Sequence, residues 1–143
     1  MGSRSPAPDN LRQTVEYRHR PHLDHDILQD LFELAWGSRK GDFRPVLERS
    51  FTWIAAIARG ILVGFVNIAW DGGVHFFLLD LTVHPEWQHR GIGSRLVHEA
   101  IVECQGRGEW LHVDSSRELM DGFYRPCGFS DTDAGILSVR SSR

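Results

Sequence analysis

The stretch Leu81-Thr82-Val83-His84-Pro85-Glu86-Trp87-Gln88-His89-Arg90-Gly91-Ile92-Gly93-Ser94-Arg95-Leu96 changes its periodicity halfway along. An apolar, strand-like run enters it, a polar turn follows, and a helical pattern leaves it at Gly91-Ile92-Gly93. Such a turn aims successive backbone N–H groups and the positive end of a helix at one point, which suits a phosphate group. The glycines let an anion approach the backbone closely. A lone Gly-x-Gly also occurs in plain surface turns, so its surroundings must support the reading.

Upstream lie three β-rich runs, at 51–58, 61–70 and 74–83, divided by Arg59-Gly60 and by Asp71-Gly72-Gly73. Glycine at both breaks predicts tight turns and an antiparallel meander. The third run is apolar on both parities except at His75, Asp80 and Thr82, the pattern of a strand covered on both faces. Strict alternation would put Asp80 on the opposite face from Leu79 and Leu81. Earlier still, 14–20 alternates weakly through Val15 and Tyr17 and predicts an opening strand. Asp24 is a good N-cap for a helix carrying Ile27, Leu28, Leu31, Phe32, Leu34 and Ala35, which Gly37 stops. The segment 38–50, with Gly41 and Pro45, reads as a loop with room for one short helix.

Downstream, a helix runs from Gly93 to about Cys104 with Leu96, Val97, Ala100, Ile101 and Cys104 on one stripe. A short strand at 110–114, a short helix at 118–124 stopped by Pro126 and Gly128, and a last strand at 135–140 complete the pattern.

Composition bounds what such a chain can be. Its 143 residues, 41% hydrophobic, suit one domain, placed at 12–143, with 1–11 as a flexible N-terminus that has no apolar core of a signal peptide. The formal charge of −3 lacks the basic surplus of a nucleic-acid binder. No run approaches the roughly 18 apolar residues of a membrane span. Cys104 and Cys127 form neither a CxxC pair nor a secreted framework, so a reduced, cytoplasmic setting is expected. His19, His22 and His25 straddle Pro21 and a change from strand to helix, so no metal site is expected from them. Trp36, Phe43, Trp53 and Trp70 read as core or as the lining of an amine pocket.

With these elements in place, the chain resembles the GNAT superfamily of N-acetyltransferases. The resemblance rests on Val83-His84-Pro85, on Gln88-His89-Arg90-Gly91-Ile92-Gly93, and on Phe123-Tyr124-Arg125-Pro126-Cys127-Gly128-Phe129. It implies an α/β fold with a mixed, mainly antiparallel central sheet of about six to seven strands flanked by about four helices. It also implies acetyl-CoA as cosubstrate, no metal, a primary amine of a small molecule or peptide as acceptor, and scope for a homodimer.

By the same resemblance, the backbone of Leu81, Thr82 and Val83 would hold the pantetheine arm, with the Val83 N–H polarising the thioester carbonyl. The backbone of Gln88, His89, Arg90, Gly91, Ile92, Gly93 and Ser94 would hold the pyrophosphate, aided by Arg90 or Arg95. Tyr124 matches the tyrosine that protonates the departing thiolate in many members. Asp80 is the leading candidate for the base, ahead of His75, His84 and His112. Two departures stand out. Arg117 occupies a position where many members have Asn, leaving Asp114 or Ser116 as substitutes, and Pro126-Cys127 breaks the usual approach to Gly128.

Two other functions compete. In a dinucleotide fingerprint the third glycine would fall at Leu96, and the turn from His84 to Arg90 is too long for it. A non-catalytic acyl-CoA-binding or sensor domain of the same fold would share the phosphate loop without turnover.

Overall fold

Gly60 and Gly72, at φ 76° and 84°, make the two turns that the sequence predicts. The strands they separate form the antiparallel meander β2 (Thr52–Ala58), β3 (Ile61–Trp70) and β4 (His75–Val83). The computed structural model describes residues 14–141, so the expected flexible stretch 1–11 lies outside the described residues. β1 (Glu16–His19) adds antiparallel to β2, and β5 (Trp110–Val113) adds parallel to β4, giving the order β1-β2-β3-β4-β5.

Each face of this sheet takes its own helical cover. The helix α1 (His25–Trp36) begins where the Asp24 carboxylate accepts from the Asp26 N–H, and it ends at Gly37, whose N–H reaches Glu33 O. Leu28, Leu31 and Phe32 press against Phe43, Ala55, Leu62 and Phe65. Phe43 directly precedes the short helix α2 (Arg44–Arg49). On the opposite face, α3 (Ile92–Cys104) buries Ile92, Leu96, Val97, Ala100 and Cys104 against Ile54, Val66, Ile68, Phe76 and Leu78. No helix among the described residues is long and apolar enough to cross a membrane.

Two expectations are corrected. The helix expected at 118–124 is a single turn, α4 (Arg117–Leu119), running into a wider π turn (Met120–Tyr124) that the Arg125 N–H closes onto Met120 O at 2.8 Å. Such widened turns occur often at functional positions. The described sheet also has five strands, not six or seven, because 135–140 pairs with no strand among the described residues. Its side chains fit a strand, but strand structure also needs a ladder partner, and every residue from 131 to 141 is exposed.

Candidate active site

β4 carries a bulge just before its end. Asn67 pairs with Leu79 and Phe65 with Thr82, so Asp80 and Leu81 together oppose Val66. Asp80 absorbs the extra residue at φ 58°, a left-handed conformation that Asp tolerates better than most residues with a Cβ. The alternation expected from the sequence is therefore broken. Leu81 packs into the core under α3, whereas Asp80 accepts a hydrogen bond from Asn67, the residue paired with Leu79. Asp80 thus shares the face of Leu79.

Beyond the bulge, Thr82 turns toward α1, where Trp36 Nε1 donates to Thr82 Oγ1 at 3.0 Å. Thr82 Oγ1 in turn donates to Asp80 O at 3.0 Å. Lys40 supplies a positive charge near the Asp80 carboxylate, and Ser50 Oγ donates to Asn67 Oδ1. Burial pushes the Asp80 carboxyl above its usual range, against the lowering pull of Lys40 and Asn67. A half-buried carboxylate with a raised pKa is a stronger base than a solvated one.

The loop that carries Lys40 is held by a buried amide. Gln29 Nε2 donates to Gly41 O and the Lys40 N–H donates to Gln29 Oε1, each at 2.8 Å. Sequence reasoning passed over Gln29, Lys40 and Asn67. The available signal was a polar residue inside an apolar stripe, namely Gln29 beside Leu28 on α1 and Asn67 within β3.

β5 accompanies β4 only as far as Leu78↔Val113. From Leu79 to Val83 the outer side of β4 has no strand beside it among the described residues, which opens a gap between the two strands. The start of α3 adjoins this gap. The turn passes through a 3₁₀ segment (Pro85–Trp87), His89 at φ 62° and Gly91 at φ 82°. No side chain caps α3, so its first N–H groups, at Ile92, Gly93 and Ser94, lack intrahelical partners. That is the arrangement an anion uses.

The arginines divide. Arg90 stays at the loop, its guanidinium 4.7 Å from the Trp87 ring centre, while Arg95 turns away to Glu99 at 3.0 Å and over the Tyr17 ring. The Gln88 side chain reaches back to Val83 O at 3.4 Å.

The π turn closes the site from a third side. A Cβ on Gly93 would lie 3.3 Å from Phe123 and 3.7 Å from Val83, so the end of β4, the start of α3 and the π turn meet at one point. Ser94 and Cys127 are hydrogen-bonded across the same junction. Tyr124, 6% exposed, lies edge-on between Phe123 and Phe129, and burial, with Cys127 beside it, pushes its phenol up to about 12.

The remaining candidates have other partners. His75 and His112 bond each other at 2.8 Å at the opposite end of β4, with Phe77 stacked on His112. His84 accepts from the Glu86 N–H and starts the 3₁₀ turn. Arg117 pairs with Asp121 and Asp131, and Ser116 caps α4. Among the other aromatics, Phe43 is core, Trp53 Nε1 donates to Pro21 O, and Trp70 stacks on Phe76; Trp36 alone of the four touches the site. Cys104 and Cys127 are free thiols, both raised by burial. His19 binds Glu99 and Glu103, whereas His25 faces Asp42 at 3.7 Å.

Known proteins resemble this chain in sequence and in fold. The sequence profile of the acetyltransferase (GNAT) family matches residues 14–129. The chain is 27% identical over 140 residues to GCN5-related N-acetyltransferase 1, chloroplastic, of Arabidopsis thaliana, covering 93% of this chain and 68% of that protein. It is 29% identical over 128 residues to serotonin N-acetyltransferase 2, chloroplastic, of Oryza sativa subsp. japonica, covering 83% of this chain and 64% of that one. In fold it is similar to a GNAT family acetyltransferase from Streptococcus pneumoniae TIGR4, with a TM-score of 0.78 and 23% identity over 90% of this chain and all of the other. A profile match over most of the chain, together with a sheet that opens beside an uncapped, glycine-led helix, means that this chain belongs to the GNAT acetyltransferase family.

Proposed function

We propose that the chain transfers an acetyl group from acetyl-CoA to the primary amine of a small-molecule or peptide acceptor, by direct attack of the amine on the thioester. The observation that carries this reading is the meeting of Val83, Gly93 and the π turn beside the gap between β4 and β5. Pyrophosphate would lie on the first turn of α3, and the pantetheine arm would run along the exposed edge of Leu81, Thr82 and Val83. Asp80, or a water that it polarises, takes the proton of the ammonium group. The freed nitrogen attacks the thioester carbonyl carbon while the Val83 N–H supports the developing oxyanion. The C–S bond then breaks, the Tyr124 hydroxyl protonates the thiolate, and the second proton shed by the attacking nitrogen restores the phenol. A small amine is favoured by the Trp36 indole and the Asp80 carboxylate, brought together through Thr82, and by the rice relative named for serotonin. The free thiols suit a reducing, cytoplasmic setting.

The test is acetyl-CoA consumption across a panel of amines, read beside thermal shifts. Acetyl-CoA should raise Tm, and at least one amine should drive CoA release. A thermal shift without turnover on any amine would identify an acyl-CoA sensor. A shift with NAD and none with acetyl-CoA would overturn the phosphate-loop assignment.

A further inference from the structure

Asn67 is a side-chain amide held at 1% exposure within β3, and both of its ends are engaged. Its nitrogen donates to the Asp80 carboxylate, and its oxygen accepts from Oγ of Ser50, the residue that closes α2. Ser50 Oγ also lies 2.9 Å from Val46 O, so one hydroxyl proton has two acceptors within reach. The hydroxyl therefore has two settings and can use only one at a time.

Asp80 has little freedom of its own to answer a change of charge. The bulge fixes its backbone at φ 58°, and Thr82 Oγ1 donates to its carbonyl oxygen at 3.0 Å. When the carboxylate takes a proton, it gains a donor that needs an acceptor. Of the two side chains that act on it, the Lys40 ammonium carries only donors, whereas the Asn67 amide carries a donor and an acceptor on one plane. A half turn of that amide about its Cβ–Cγ bond exchanges the two within the same volume. At such burial the amide cannot turn to bulk water, and leaving either end unpaired would cost free energy.

We propose that Asn67 and Ser50 are positioning residues for the base, forming a relay whose amide turns over when Asp80 changes its protonation state. The inference rests on the role proposed above for Asp80. With the carboxylate ionised, the Ser50 O–H donates to Asn67 Oδ1 and Asn67 Nδ2 donates to Asp80. Once Asp80 has taken the ammonium proton, its new O–H donates to Asn67 Oδ1, Asn67 Nδ2 donates to Ser50 Oγ, and the Ser50 O–H swings to Val46 O. The only proton transferred is the one that leaves the amine, and every group in the relay keeps a partner in both states. Lys40 favours the ionised state alone, so the relay is what offers the neutral acid an acceptor while the nitrogen attacks.

The experiment joins NMR of the ligand-free full chain with kinetics on an active amine. Across a pH titration the Asp80 carboxyl carbon and the Asn67 side-chain amide should move with one midpoint. The amide protons should exchange their nuclear Overhauser contacts, from Asp80 above the midpoint to Ser50 below it. Ser50→Ala should lower kcat about tenfold, the size of one hydrogen bond, and leave KM for acetyl-CoA and for the amine unchanged; Ser50→Thr, which keeps the hydroxyl, should restore it. In an Asp80→Asn background, Ser50→Ala should have no further effect. An amide that faces Asp80 at both ends of the titration overturns the proposal, as does a Ser50→Ala variant with wild-type kcat or one whose loss persists without Asp80. Asp80→Asn alone separates the two readings. Wild-type turnover in that variant removes Asp80 as the base and the catalytic role of the relay with it, whereas an impaired Asp80→Asn beside an unaffected Ser50→Ala leaves the base standing and strikes the relay.

Discussion

At its start β4 is held on both sides, by β3 through Trp70↔Phe76 and Ile68↔Leu78 and by β5 through Phe76↔Leu111 and Leu78↔Val113. From Leu79 onward only β3 holds it, through a bulge, and the other side faces a gap. The first half buries Phe76 and Leu78 almost completely, whereas the second leaves Asp80 and Leu81 half-buried. One strand thus divides its labour: its paired half contributes packing and its unpaired half contributes backbone groups and a carboxylate. Substitutions in the two halves should be distinguishable by which measurement they move.

The largest effect should come from Phe76→Ala. Phe76 is 1% exposed, stacks on Trp70 and lies tilted against Phe51, so its truncation should cost roughly 3–5 kcal/mol in urea unfolding. Acetyl-CoA affinity measured on the protein that remains folded should hardly change. A comparable loss of affinity in the folded fraction would break the division between the halves.

Asp80→Asn should act the other way. Loss of the base should lower kcat by about 10²- to 10⁴-fold. Stability should be unchanged or higher at neutral pH, because burial raises the Asp80 pKa. Worked through, a raised carboxyl pKa penalises the folded state fully above that raised value, and the penalty disappears below the ordinary 3.8. Denaturation of both proteins across pH should therefore show the wild type gaining on the variant as acid is added. A large stability loss at pH 7 would make Asp80 a structural carboxylate.

Tyr124→Phe should lower kcat by roughly 10²-fold and leave acetyl-CoA affinity nearly intact. With the phenol pushed up to about 12, wild-type kcat should show no alkaline decline from this group through the ordinary phenol range near pH 10. A variant with wild-type kcat would reduce Tyr124 to its packing between Phe123 and Phe129.

The smallest effect concerns α3, whose first turn faces the gap. Burial lowers the His19 pKa, but the hydrogen bonds to Glu99 and Glu103 outweigh it and the net shift is upward. Wild type should exceed His19→Gln in stability by up to about 1 kcal/mol below the ordinary imidazole range, and the advantage should fade as pH rises through the raised value. A difference independent of pH would mean that the His19 charge contributes nothing.

Which features were legible in the sequence follows from how locally each is encoded. Asp24 and Gly37 bound α1 as expected, because a cap needs only its own few residues. Gly60 and Gly72 announced their turns for the same reason. Gly91 marked the uncapped start of α3 because backbone chemistry within one loop defines it. The bulge at Asp80 escaped, since its only local sign is a charge in an apolar run and the extra residue is visible only against β3. Gln29 and Lys40 meet through a loop whose course depends on tertiary contacts. At 135–140 the pattern led to a strand that the described sheet does not contain, because no pattern within a segment names its ladder partner.

The bulge has a genetic consequence. Asp80 is the one residue in β4 beyond what the ladder with β3 requires, so removing it alone would set Leu81 opposite Val66 between two pairs already in register. An in-frame deletion of that single codon would restore regular alternation from His75 to Val83 and erase the carboxylate at the same stroke. On the role proposed for Asp80, a lineage could therefore cross between an acetylating protein and a silent binder of the same shape in one event, without passing through an unfolded ancestor.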